Sequence, residues 1–331
     1  MVVVAVAGGT GDMGRLITDA LVETGKHEVY VISRKAEDIP QRVSPMSGKP
    51  YTPAIQSDYA SEAALADLLS SHKIEVVLCT FTMHHQSASD AQVRLIRAAD
   101  QTPCVKRFLP SEFNVDYDLG DDKLPYPDKL LHRGARRALE ATTTLEYAYV
   151  YPGMFMDYFG IPHVATHLRE LCLFLDPSNG VAALPGDGSA KMATSFTTDV
   201  ARYIALALEL DCWPRVLLTA ASTVTPKELV ALAEKNLGRR MEVSYHSTDV
   251  LKKHENILLP RNKTLARDFP ARFPEGEEQV RALIADLEVS VGLGAFDFSG
   301  LEDSLDLVKH FEGRFVPRRI EDVMEEAWKG R

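Results

Sequence analysis

Residues 2–14 constrain this chain more than any other stretch. The run Val2-Val-Val-Ala-Val-Ala7 leads straight into Gly8-Gly9-Thr10-Gly11-Asp12-Met13-Gly14. A short unbroken apolar run of this kind is expected to form a β-strand buried on both faces. Met13, Leu16, Ile17, Ala20 and Leu21 then recur at helical spacing, and Gly25 supplies a stop. Strand, glycine turn and amphipathic helix in direct succession make a cradle for a phosphate group. Gly8 is expected to allow the tight turn, Gly11 to let the backbone approach a pyrophosphate, and Gly14 to let the helix pack closely. The anion would face the free N–H groups and positive end of the helix. Thr10, Asp12 and Met13 are expected to contact it together with the glycines.

The next 140 or so residues repeat the pattern. Val29–Ile32, Ala54–Gln56, Glu75–Cys79, Arg107–Leu109 and Tyr147–Tyr151 read as strands. Between them lie helical patterns: one capped by Ser61, one through Ala91, Leu95 and Ala99, and one over Leu130–Ala141. Alternation of this kind implies right-handed crossovers and a doubly wound parallel α/β sheet. The second half is less regular. Leu173–Leu175 and Val181–Leu184 resemble a hairpin, Val216–Thr219 and Glu242–Tyr245 read as strands, and Thr198–Leu210, Thr225–Leu237, Leu283–Val291 and Ile320–Trp328 read as helices. Residues 256–276, rich in proline and charge, read either as a mobile cover over a site or as a surface connection. The expected division is a dinucleotide-binding domain over 1–155 and a smaller α+β substrate lobe over 156–331, with some lobe elements packing back on the sheet.

The formal net charge of −10 argues against nucleic acid as a partner, and the basic run Arg314–Arg319 is too short and mixed to overcome it. Four scattered cysteines and the adjacent His84 and His85 offer no metal spacing, so no metal is expected and the thiols suit a reducing, cytoplasmic setting. The N-terminus lacks the basic stretch of a signal peptide, and no apolar run approaches the ~18 residues of a membrane span. Monomer and homodimer are both compatible with the sequence.

Ligands of a doubly wound sheet bind beyond the carboxyl ends of its strands. At the end of the second strand stands Ser33-Arg34-Lys35, where an NAD-selective site carries an acid. Two cations there favour a 2′-phosphate, hence NADPH or NADP+. Thr80, Phe81 and Thr82 should border the same coenzyme. Pro152, Gly153, Met154 and Phe155 should wall the nicotinamide, with Gly153 permitting close approach. Ser111, Met156, Tyr158 and Phe159 are candidates for the substrate cavity, although aromatics at this density also make ordinary core.

Three further segments carry a resemblance. Lys106-Arg-Phe-Leu-Pro-Ser-Glu-Phe113, Arg136-Arg-Ala-Leu-Glu140 and Tyr147-Ala-Tyr-Val-Tyr-Pro-Gly-Met-Phe-Met-Asp-Tyr-Phe159, taken with the glycine loop, resemble the NmrA-like and isoflavone reductase-like group of atypical short-chain dehydrogenases. Fungal members look most similar. The resemblance covers nearly the whole chain and weakens after about residue 255. It implies a Rossmann-type fold and an NADPH-dependent reductase of a small hydrophobic aromatic, enone or ketone metabolite of secondary metabolism. It also implies that one lysine on the helix after FLPSEF replaces the usual tyrosine–lysine dyad, contacting the nicotinamide ribose and relaying a proton. No YxxxK occurs here. Lys129 is the lysine near the start of that helix, but the family position falls on His132, one turn further on. Residues 129 and 132 share a helix face, so both are candidates for the catalytic proton relay, and Lys129 also for coenzyme contact. A partly desolvated lysine there would titrate lower than usual, and a histidine would need no shift. The departure from lysine keeps open a non-catalytic, NADP(H)-binding redox regulator of the NmrA type. A non-redox enzyme on the same fold is a third reading.

Overall fold

The apolar run Val3–Ala7 forms β1, and all five of its residues are buried because both faces of the strand are covered. Val4 and Val6 enter one hydrophobic cluster, whereas Val3, Ala5 and Ala7 enter another on the opposite face. The structure is a computed structural model that describes residues 1–36 and 39–331. In its first half β1 is followed by α1 (Asp12–Glu23), β2 (Glu28–Ser33), a small antiparallel ribbon of β3 (Arg42–Val43) and β4 (Pro50–Tyr51), then β5 (Ala54–Gln56) and α2 (Glu62–Ser71). Next come β6 (Val76–Cys79), α3 (Gln86–Gln101), β7 (Arg107–Leu109), α4 (Lys129–Glu140), β8 (Glu146–Tyr147) and β9 (Tyr149–Tyr151).

The central sheet is parallel throughout, in the order β5-β2-β1-β6-β7-β8. The order reverses beside β1, which puts the topological switch point, and with it the expected crevice, above β1 and β6. Helices α2, α3 and α4 cover one face through Leu65, Leu69, Leu95, Ile96, Ala135 and Leu139. Helix α1 covers the other through Ile17 and Leu21.

Residues 147–151, expected as a single strand, are two. Strand β8 pairs with β7, but β7 is short, and past it only an isolated Phe113–Val150 bridge continues that ladder. After Ala148 the chain therefore changes neighbour, and β9 pairs in parallel with β14 (Val216–Leu218). Strand β14 pairs in turn with β17 (Ser304–Asp306). Helix α6 (Thr197–Ala207) sits beside α1 in the same cluster. Parts of the second half thus form a three-stranded sheet with β9 beside the central one and add α6 to the helical face carrying α1.

The remaining second half forms a lobe around Phe159, Phe174, Phe196, Phe296 and Trp328. Its strands make two small sheets. One joins β10 (Met154–Phe155), β13 (Met192–Ser195) and β15 (Ser222–Val224). The other joins β11 (Leu175–Asp176), β12 (Val181–Pro185) and β16 (Glu242–His246), so the expected hairpin is present as β11–β12. Between β10 and β11 lies the short α5 (Asp157–Gly160). The helices α7 (Pro226–Leu237), α8 (Thr248–Lys252), α9 (Asn262–Asp268), α10 (Glu277–Gly292), α11 (Leu307–His310) and α12 (Ile320–Trp328) follow. Helix α7 starts on a reciprocal Thr225/Glu228 cap with Pro226 in its first turn and stops at Gly238 at φ 68°. Helix α12 is tied down by Trp328, whose Nε1 donates to the Phe159 carbonyl at 2.7 Å. No helix among the described residues is long and apolar enough to cross a membrane.

Candidate active site

The turn after β1 has the shape a phosphate cradle needs. Gly8 adopts φ +79°, which a residue with a side chain rarely takes, and its N–H donates to the Ile32 carbonyl at 2.9 Å. A Cβ on Gly14 would lie 2.2 Å from the Gly8 carbonyl oxygen and 2.6 Å from Thr80 Oγ1. Position 14 therefore admits only glycine, because the helix presses on the turn itself and on the end of β6. Gly9, not singled out from sequence, is similarly confined: a Cβ there would meet Val31 Cγ1 at 2.9 Å. Gly11 is the extended residue preceding α1, and no side chain caps the helix. The opening N–H groups of α1 are thus left for an incoming anion.

From this turn a groove of about 490 Å³ runs over the carboxyl ends of β1, β2 and β6, lined by Gly8, Thr10, Gly11, Arg34, Thr80, Phe81 and Thr82. Several residues of the groove were missed from sequence, Asp58 and Arg94 among them. Arg94 on α3 lines it while its Nε donates to the Tyr59 carbonyl at 2.8 Å, and Asp58 stands near by. Lys35 does not line the groove; it is exposed, and its backbone N–H donates to Ser33 Oγ at 3.2 Å. Asp12 is also exposed and outside it, an acid at the positive end of α1.

At Phe81 and His84 the groove meets a second cavity of about 260 Å³, bounded mostly by apolar side chains. Met13, expected beside the phosphates, faces this cavity instead, because its helical position points down from the turn. Ser111, Gly153, Met154, Phe155 and Tyr158 line it too. The glycine at 153, at φ +71°, answers to a protein neighbour: a Cβ would lie 2.1 Å from the Ala193 carbonyl oxygen. Pro152 lines neither space, and its carbonyl accepts from Ser195 Oγ at 2.8 Å. Met156 and Phe159 belong to the lobe core, pointing away from the cavity as the chain turns into α5.

The two candidates on α4 part company. Lys129 is buried, but its ammonium donates to the carbonyls of Leu119 at 3.1 Å and Leu124 at 2.6 Å and also binds Asp121. A side chain in the first turn of a helix leans back toward the chain before it. Lys129 accordingly ties down the loop 119–124 and does not line the cavity, which corrects its expected place beside a nicotinamide. His132 does line it. Its ring stacks on Tyr117 at 3.8 Å and 8°, and its Nδ1–H donates to the Ser111 carbonyl at 3.0 Å. A carbonyl only accepts, so Nδ1 carries the hydrogen and Nε2 keeps its lone pair. Burial drives the imidazole down to about 3, with the Arg136 charge adding to the effect. His132 is thus a neutral acceptor at physiological pH, not a group titrating there without a shift.

Donors come from phenols. Burial pushes Tyr158 up to about 12 and raises Tyr126 further, so both stay protonated, and both face the cavity. Tyr117, Tyr126, His84 and Arg272, none of them expected at the cavity from sequence, reach it from three stretches of chain. His84 was weighed for metal alone, and Tyr126 only as a possible dyad partner of Lys129, from which it is one residue too close. Beneath α4, Glu112 is fully buried, and Arg136 grips it with Nε at 2.9 Å and Nη2 at 2.7 Å while also donating to Tyr151 Oη at 3.0 Å. That pair fixes α4 against the loop after β7.

A parallel doubly wound sheet with an open helix head, a coenzyme-sized groove and an adjoining apolar cavity defines the class of this protein. The model of the NmrA-like family matches residues 2–270, and the chain belongs to that family. It is 30% identical over 308 residues to the oxidoreductase swnN of Metarhizium robertsii, covering 85% of this chain and 87% of that one. It is 28% identical to the isoflavone reductase of Cicer arietinum, over 80% and 85% of the two chains. Among solved structures, leucoanthocyanidin reductase of Vitis vinifera, in its binary complex with NADPH, superposes with a TM-score of 0.67 over 98% of both chains at 19% identity.

Proposed function

We propose that the protein is an NADPH-dependent reductase of a small hydrophobic aromatic, enone or ketone. The observation that carries this reading is the junction at Phe81 and His84, where the groove headed by the glycine turn opens into the apolar cavity holding His132. The groove's residues fit a dinucleotide phosphate: glycine is required at 14, the head of α1 is open, and Arg34 stands where a 2′-phosphate would be held. The oxidoreductase and reductase names of the relatives, and the NADPH in the Vitis vinifera complex, support the same reading. When bound, such a coenzyme supplies a hydride. The chain's own residues then do the rest. Met154, Phe155 and Leu173 exclude water from the reacting carbon. Tyr158 donates a hydrogen bond to the oxygen on which charge develops, His132 Nε2 accepts a hydrogen bond from an adjoining hydroxyl or water and so orients it, and the proton that balances the hydride comes from solvent. A small substrate held in this pocket gains chiefly from proximity.

The test is direct. Purified protein should bind NADPH in calorimetry and consume it, seen as falling nicotinamide absorbance, with at least one member of a panel of enones and aryl ketones. Arg34→Ser should weaken NADPH about tenfold and leave NADH unchanged. No heat with either coenzyme at millimolar concentration would sink the proposal. The withdrawal of Lys129 from the cavity favours a second reading, a coenzyme-binding regulator. Tight binding without turnover on any member of the panel, with a protein partner in pull-downs, would select it.

A further inference from the structure

One cation at this site has nothing to hold. Arg272, in the segment between α9 and α10, lines the apolar cavity with its side chain partly buried. Among the described residues its guanidinium makes no ion pair and donates no hydrogen bond; it stands 5.0 Å from the Phe273 ring centre. Three other partly buried arginines are paired: Arg107 with Glu146, Arg261 with Glu170, Arg281 with Glu277 at 2.8 Å. The charges around Arg272 make its position worse. Arg169 repels it, and both arginines disfavour a charge on His84, which lines the same cavity. Tyr126 and Tyr158 stand near it as uncharged phenols, and the acid that acts on it is Asp12. A half-desolvated guanidinium with five unused donors and no counter-ion is costly unless something else supplies the anion.

We propose that Arg272 receives a carboxylate of the substrate, so that the natural substrate is an acid: an apolar body against Met83, Phe113 and Leu287, ending in one carboxylate. The planar fork of arginine accepts a carboxylate through two parallel hydrogen bonds, which fixes both the position and the orientation of the apolar body. Segment 256–276 thereby contributes the selective group of the cavity through Arg272. This inference rests on the cavity being the substrate site of the proposed reductase, and its test is arranged so that the two stand or fall separately.

The probes are trans-cinnamate and trans-cinnamamide, which share a shape and differ in charge. Their affinities are measured by calorimetry, on protein saturated with NADP+ and on protein without coenzyme. Cinnamate is expected to bind about tenfold tighter than the amide. Arg272→Met should equalise the two, Arg272→Lys should keep part of the preference, and the NADP+ affinity of both variants should match the unaltered protein. Equal affinities in the unaltered protein, or a preference that survives Arg272→Met, overturns the inference. So does an Arg272→Met variant whose defect is in NADP+ binding, because the guanidinium would then serve the coenzyme. Failure of the unaltered protein to bind NADP+ overturns the reductase reading alone, since the acid–amide comparison without coenzyme still decides the role of Arg272.

Discussion

His132 shows how one residue's surroundings decide its chemistry. The resemblance stated from sequence implies a lysine at this position, an obligatory donor. Stacked on Tyr117 and bonded through Nδ1 to the Ser111 carbonyl, the imidazole instead presents a lone pair. Its lowered pKa also couples to stability. In the unfolded chain it titrates near 6.5, and in the folded protein near 3. Between those values the unfolded state holds the extra proton, so the stability contributed by the neutral ring is present above about pH 6.5 and is lost as pH falls toward 3. His132→Phe keeps the stacking and removes the titration. Over pH 6 to 4 its urea-unfolding free energy should fall less steeply than that of the unaltered protein, by about 1 kcal/mol per pH unit. Parallel slopes would contradict the buried neutral imidazole. At the glycine turn, Gly14→Ala should abolish coenzyme binding and cost about 2–4 kcal/mol, because the new methyl group meets a backbone carbonyl that cannot move aside. At this scale the positive φ at Gly8 was legible, since a tight turn after a strand is local, whereas Gly9 and Gly153 answer to the distant Val31 and Ala193. The direction of Lys129 was not legible either, because it depends on the path of residues 119–124, which no spacing rule encodes.

Helix α4 carries Lys129, His132 and Arg136 on its buried side, each spent differently: on a loop, on the cavity and on a carboxylate. The Arg136–Glu112 pair is the anchor of the three. Burial pushes the Glu112 carboxyl up to about 7 while the Arg136 guanidinium pulls against it, so the acid depends on its partner to stay ionised. Arg136→Met should cost about 3–5 kcal/mol in chemical unfolding, as expected for stranding a buried carboxylate. The double variant Glu112→Leu with Arg136→Met should recover much of that loss. If the single variant were as stable as the original, the pair would not be holding α4 in place. The same element-scale view explains which parts of the fold could be read in advance. Strands buried on both faces and helices with caps, such as β1, β6, α7 and α12, announce themselves through unbroken apolar runs or start and stop residues. Strand β13 escaped because Met192-Ala-Thr-Ser195 is short and half polar, and its burial comes from β10 and β15, not from its own composition. The split of 147–151 escaped for a related reason: a change of neighbour leaves no mark on the residues that make it.

The whole chain closes on itself. Strand β9 finds its partner in β14, β14 in β17, and α6 covers the sheet next to α1 through Val200, Tyr203 and Ile204. A fragment of residues 1–155 would therefore leave β9 unpaired and half of one sheet face bare. Expressed alone it should show broad, poorly dispersed amide resonances and bind apolar dyes, whereas the full chain should unfold in one cooperative step. A well-dispersed spectrum from the fragment would contradict that expectation. Interdigitation of this kind is a long-range property, and no local pattern announces it. The threading also limits how a protein of this shape can diversify. A lobe stitched into the foundation of its neighbour cannot be exchanged as a ready-made cassette without dismantling both. New ligand preferences must instead arise piecemeal, by swapping individual side chains at the rim while the woven scaffold beneath stays fixed.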